Sequence, residues 1–207
     1  MKIPLRFQCT EYDCGTTSFI NALLYLYDRE DIPIEFIKAI YKYTLDVEDK
    51  EGIIGKGGTS RNHAERLARF FVRYANTNEK TNIKTHILCN DKVDLINMKS
   101  VIERGGVAIA RVWQQGEHYV IITKIDENFA YIFDPYYLDE DYYYKDSEVA
   151  VVLNDNFTHN RLVKLSRLFD ERKVDFSLLP VEEEKVVDEN DLTDEELEIM
   201  RKKFGFD

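Results

Sequence analysis

The glycine pair Gly105-Gly106 marks a change of period in the chain. Downstream of it, "VAIARVW", "EHYVIITKI" and "FAYIFD" are runs of β-branched and aromatic residues, separated only by "QQG" and "DEN". Turns that short join antiparallel neighbours, because a parallel crossover needs a dozen or more residues. The three runs therefore read as an antiparallel meander. Upstream, apolar residues recur at helical spacing. Helices first and an antiparallel sheet second is an α+β arrangement, with N-terminal helices packed on a C-terminal sheet.

The first helix is expected from Asp13 to about Asp28. Phe19, Ile20, Ala22, Leu23, Leu24, Leu26 and Tyr27 cover most of its surface, so it is buried on most sides. Asp13 is read as its N-cap, which puts Cys14 at the first helical position. A second helix is expected from Pro33, with Ile34, Ile37, Ile40 and Tyr41 on one face. "EGIIGKGGTS" is a loop, and Lys56 followed by glycines does not match a phosphate-binding P-loop. A third helix, capped at Thr59 or Ser60, presents Ala64, Leu67, Ala68, Phe71 and Ala75; His63 on it has no second His or Cys at metal-ligand spacing. "IKTHILC" is expected to be a strand, and "DLINMKSVIERGG" a short helix ending in a glycine C-cap. "EVAVVL" and "RLVKLS" could each add a strand. Residues 1–180 are read as one domain, and 181–207 as an acidic tail with a short helix from Thr193, Glu196 standing in capping-box position.

With 207 residues, 44% of them hydrophobic, the chain can bury a core of its own. Lys and Arg number 28 against 39 Asp and Glu, a net charge of −11 that repels nucleic acid and anionic membrane surfaces. Cys9, Cys14 and Cys89 are odd in number and lack Cys-x-x-Cys spacing, which suits a reducing interior. The N-terminus has no signal-peptide pattern and no apolar run is long enough to span a bilayer, so a soluble, cytoplasmic protein is expected.

A thiol in the first turn of a helix faces unpaired N–H groups and the positive end of the helix dipole, which favour a thiolate. Cys14 has that setting, although Asp13 and the overall charge oppose ionisation, so an imidazolium is needed beside it. Gly15 is read as leaving room for an approaching carbonyl, and the Cys14 N–H and Gln8 as candidate oxyanion donors. His118 opens the strand "HYVIITKI", and Asp134 ends the next one before Pro135. Antiparallel pairing of 118–125 with 129–134 brings those two strand ends side by side, so Asp134 can orient His118 toward Cys14. Taken singly, Cys14 is also a packable core thiol, His118 a strand-edge polar residue and Asp134 a turn former. On the last reading Asn would replace Asp134 with no loss, and on either reading folding should hardly notice the exchange. The order Gln, Cys, His, Asp on the expected elements favours catalysis.

These residues resemble the papain-like bacteriocin-processing peptidases that cut peptides after a double-glycine leader, and their stand-alone relatives. Gln8 stands six positions before Cys14 in "QCTEYDCG", "GGTS" at 57–60 is similar to the family's entry into its next helix, and "HYVIITKIDENFAYIFDP" is similar to its histidine strand and aspartate-proline. The resemblance covers about residues 1–135; "YY" follows the Asp-Pro where small residues are usual, and residues 146–207 lie outside it. It implies a papain-like fold with Cys14 as nucleophile, His118 as general base, Asp134 as its orienter and Gln8 as oxyanion donor, and neither cofactor nor metal. The expected partner is a peptide or acyl substrate. The same machinery could pass the acyl group to an amine instead of water, and a silent peptide-binding module is the reading from another class. The tyrosines of "DPYYLDEDYYY" are either a peptide-binding lip or ordinary edge cover.

Overall fold

The meander is present, and it forms one side of a larger sheet. The computed structural model describes residues 1–78, 83–88, 93–138 and 142–179. Strands β1 (Ala108–Trp113), β2 (Glu117–Ile125) and β3 (Phe129–Phe133) run antiparallel in sequence. Gln115, at φ 56°, makes the first turn, and the Asp126 carboxylate closes the second by accepting from the Asn128 and Phe129 N–H groups. Strands β4 (Val149–Val151) and β5 (Arg161–Lys164) complete an antiparallel sheet of order β1-β2-β3-β5-β4. The far edge of β1 is covered by residues 176–179, which exchange backbone hydrogen bonds with Arg111 and Trp113. That cover removes a row of unpaired backbone groups.

Five helices accompany the sheet in the described residues: α1 (Cys14–Leu26), α2 (Ile34–Tyr43), α3 (Arg61–Thr77), α4 (Leu95–Glu103) and the single turn α5 (Leu165–Leu168). The architecture is α+β. Every residue of α1 from Cys14 to Leu24 is buried, as its all-round apolar surface requires. Successive residues of β2 serve opposite cores: Ile121 joins the helical cluster of Phe19, Leu23, Phe36, Leu67 and Phe71, whereas Val120 and Ile122 join Val112, Ile132, Leu168 and Phe176. Being covered on both faces explains why β2 reads as a nearly continuous apolar run.

Several expectations need correction. Helix α2 starts one residue after Pro33 and buries Phe36, Ala39 and Ile40, leaving Ile34 and Tyr41 exposed. The Phe36 ring sets this face by packing on Phe71 at 4.5 Å and Tyr74 at 5.1 Å between centroids. Residues 83–88 form no strand; Ile83 packs on the helical cluster and Leu88 on the other, so the apolar residues serve packing and not a ladder. Ser60 caps α3 by accepting from the His63 N–H, Asp94 caps α4, and Gly105 at φ 83° ends α4 as expected. Cys89 and the segment 181–207, with its expected helix from Thr193, lie outside the described residues. Among the described residues no helix is long and apolar enough to cross a membrane.

Candidate active site

Helix α1 is fixed to the sheet at its N-terminal end by the Ser18 hydroxyl, which donates to the Tyr119 carbonyl at 2.9 Å. This bond places the start of α1 against the start of β2, where His118 precedes Tyr119. Cys14 and His118 are both buried, at 8% and 7% exposure. His118 Nε2 meets Asp134 Oδ1 at 2.7 Å. A carboxylate only accepts, so Nε2 carries the proton and Nδ1 remains for the thiol. Burial alone would lower the pKa of the ring. The Asp134 charge and hydrogen bond, with Cys14 acting on the ring as hydrogen-bond partner and charge, outweigh burial and push it up to about 10. The ring is therefore held in its charged form at neutral pH.

Asp134 has no exposed surface. Its Oδ1 also accepts from the Tyr136 N–H at 2.9 Å, and its Oδ2 accepts from Gln114 Nε2 at 3.1 Å. The first of these is an Asp-turn bond, so the turn-forming role and the imidazole-orienting role coexist. Its backbone is held on both sides by one side chain: Asn160 Oδ1 accepts from the Asp134 N–H, and Asn160 Nδ2 donates to the Asp134 carbonyl, each at 2.8 Å. Arg161 follows, 1% exposed, donating to the carbonyls of Asn160 and Tyr136. Burial lowers the Arg161 pKa while the Asp134 charge raises it, which marks the two as mutually stabilising buried charges. Gln114, Asn160 and Arg161 were not singled out by sequence reasoning. Gln114 looked like turn filler, and nothing local to "THNR" announces a partner 26 residues upstream.

The segment before α1 runs past the same corner. Asn21, the polar residue inside the apolar helix, accepts from the Arg6 N–H at 2.7 Å and donates to its carbonyl at 2.9 Å, which satisfies a fully buried amide. Phe7 packs on Phe133, and the Gln8 N–H donates to the Pro135 carbonyl at 2.8 Å. Gln8 is thus brought beside the aspartate-proline corner. Its side-chain amide, however, donates to the Thr10 carbonyl at 2.7 Å, within its own loop, and its Oε1 is buried without a partner. One of the two amide N–H groups is spent there; the other is the one an oxyanion could use.

Asp13 occupies the N-cap position without capping: its carboxylate turns back and accepts from the N–H groups of Cys9 and Thr10 and from the Thr10 and Thr17 hydroxyls. Burial raises its pKa, but those hydrogen bonds outweigh it and hold the carboxyl below its ordinary value. A charged Asp13 therefore organises the loop that carries Gln8, and it leaves the first N–H groups of α1 unclaimed by a cap side chain. Gly15 also has a different neighbour from the one expected. A Cβ there would lie 2.7 Å from Cβ and Oγ1 of Thr59, so Gly15 admits the "GGTS" loop and not a substrate carbonyl. Thr59 Oγ1 in turn accepts from the Leu45 N–H at 3.1 Å.

The tyrosines divide between buried and exposed positions. Tyr143 is core, against Phe176 and bonded to Asp175, and Tyr136 sets its ring edge-on to His118; Tyr137, Tyr142 and Tyr144 are exposed. His63 Nδ1 lies 3.3 Å from Asp46 Oδ2. Among the described residues no group of three or more His, Cys, Asp or Glu side chains could hold a metal ion. Compared with protein-family models, with curated proteins and with solved structures, the chain matches none.

Proposed function

We propose that the chain is a papain-like cysteine peptidase or amidase in which Cys14 is the nucleophile, His118 the general acid and base, Asp134 its orienter and Gln8 an oxyanion donor. The observation that carries this reading is the buried Asp134–His118 pair at the end of the sheet, with Cys14 as a further hydrogen-bond partner of the ring. Cys14 Sγ attacks a peptide-like carbonyl, and the negative charge moves to the carbonyl oxygen, toward the first-turn N–H groups of α1 and Gln8. As the C–N bond breaks, His118 gives its Nδ1 proton to the leaving amine, and a thioester remains on Cys14. Water then attacks the thioester, losing its proton to His118, and the acid leaves as Cys14 regains the thiolate.

The test is a panel of peptides and acyl-thioesters incubated with the wild type and Cys14→Ala, read by intact-protein mass spectrometry. An adduct on Cys14, absent from Cys14→Ala, followed by release of acid supports the hydrolase. Release only when an amine is added assigns an acyltransferase. No adduct with any member of the panel, on folded protein, leaves the binding module.

A further inference from the structure

A cavity of about 310 Å³ lies between α1, α3, α4 and the outer part of the sheet. Its walls are mostly apolar, formed by side chains such as Phe19, Leu23, Ala68, Phe71, Met98 and Ile109, and its lining also includes Arg61, Glu65, Lys84, His86, Arg111 and Tyr119. These two stand directly opposite each other across β1 and β2, with the Arg111 guanidinium 6.0 Å from the Tyr119 ring centre. Tyr119 is 6% exposed, yet its hydroxyl has no hydrogen-bond partner, and Arg111 Nε is likewise buried and unpaired. Leaving a buried polar atom unsatisfied costs about 1–3 kcal/mol, so two of them at one cavity point to a missing ligand atom.

That atom is an acceptor, since Nε of Arg111 only donates and a phenol can donate. It is also neutral. The Arg111 charge is already paired with Glu117, so a neutral oxygen meets the remaining donors without a further counter-charge. In size the cavity is about twice one that holds benzene, room for about eleven non-hydrogen atoms.

We infer that this cavity binds an apolar acyl chain of about eight carbons, with a neutral amide oxygen held by Tyr119 and Arg111. The assignment rests on the hydrolase reading for its catalytic meaning but not for its binding. The probe is N-methyloctanamide, titrated calorimetrically into the wild type and Cys14→Ala, with N-methylacetamide and octanoate as controls. Saturable binding is expected to both proteins alike, with the short amide and the carboxylate much weaker. Tyr119→Phe should weaken binding about three- to tenfold while leaving the unliganded melting temperature equal or higher, because it removes an unpaired hydroxyl. Ala68→Phe should abolish binding by filling the cavity; if it fails to fold, Tyr119→Phe decides alone. Absence of saturable binding to folded protein, affinity unchanged by Tyr119→Phe, or preference for an acetylated dileucine amide over the octanamide would overturn the assignment. Octanamide binding together with no adduct from any member of the peptide and thioester panel would sink the hydrolase reading and leave this one standing.

Discussion

Exchange of Asp134 for Asn is isosteric, and it separates what the carboxylate does for the fold from what it does for the imidazole. An amide oxygen at Oδ1 can still accept from His118 Nε2 and the Tyr136 N–H, but an NH₂ in place of Oδ2 would face the Gln114 amide donor, which must rotate to present its oxygen. The larger change is the charge. Raising the ring from 6.5 to about 10 corresponds to a preference for the charged form of order 5 kcal/mol, at about 1.4 kcal/mol per pH unit. Without Asp134 the effect of burial loses its main opposition, and the ring loses most of that preference. Arg161, almost wholly buried, loses its compensating charge as well. Removing one member of such a buried set costs about 3–5 kcal/mol. The expectation from turn chemistry, that folding hardly notices Asn here, therefore gives way to a substantial loss.

Urea unfolding from pH 6 to 10.5 reads this directly. In the wild type the native ring holds its proton more tightly than the unfolded chain does. That stabilisation is fully present below about pH 6.5 and disappears as the pH rises through about 10. Asp134→Asn should be about 3–5 kcal/mol less stable at pH 6.5, should lack most of the decline between pH 6.5 and 10, and should approach the wild type at the alkaline end, where the loss at Arg161 remains. Acylation should fall by of order 10²–10⁴ at pH 7. Parallel stability curves across that window, or a difference under about 0.5 kcal/mol at pH 6.5, would refute the claim that a charged buried pair holds the ring.

Iodoacetamide at pH 6, where ordinary thiols are largely protonated, should label Cys14 ahead of the exposed Cys9, and His118→Ala should remove that advantage; peptide mapping that finds Cys9 first in the wild type contradicts the assignment. Gln8→Ala should slow acylation of Cys14 by about 10²–10³ with little change in melting temperature, whereas loss of iodoacetamide labelling with turnover intact would give Gln8 another role. Gly15→Ala should cost about 1–3 kcal/mol by forcing Cβ into Thr59, and the double variant with Thr59→Gly should recover part of it by thermal denaturation; equal loss in both would remove Thr59 as the cause.

What could be read from the sequence was whatever short-range constraints decide. Two turns of three residues set β1, β2 and β3 antiparallel, and that alone brought the ends holding His118 and Asp134 together. The apolar surface of α1 dictated its burial, and burial of α1 fixed Cys14 at a covered corner. Long-range partners had no such signature. Asn160 grips the Asp134 backbone from just before β5, a strand that enters the sheet out of sequence order, between β3 and β4. Asp13 carries the right residue type for a cap, yet loop N–H groups and hydroxyls compete for its oxygens and win. The face of α2 was misread because periodicity weighs Ile34 and Tyr41 like Phe36, whereas Phe36 alone finds aromatic partners.

Even the His118–Asp134 pair depends on something that alternation could not supply. Near the turn, Lys124 pairs with Tyr131 and Ile125 with Ala130; had that register continued, Ile121 would stand opposite Asp134. His118 is three residues from Ile121, an odd step, and would point to the opposite face of the sheet from Asp134. The irregularity between Ile122 and Lys124 shifts the register by one, so that Ile121 pairs with Phe133 and Val120 falls opposite Asp134. His118 is then two residues from Val120, an even step that returns it to the face of Asp134 at the diagonal position. The extra residue is Thr123, 3% exposed, whose hydroxyl donates to the Thr158 carbonyl at 2.9 Å and the Tyr131 carbonyl at 3.3 Å. A bulge leaves backbone groups short of ladder partners, and a hydroxyl at that spot is suited to meet them, whereas Val of the same shape is not. The pair that orients the proposed nucleophile's base is thus set by a single inserted residue in β2, stabilised from a loop 35 positions downstream.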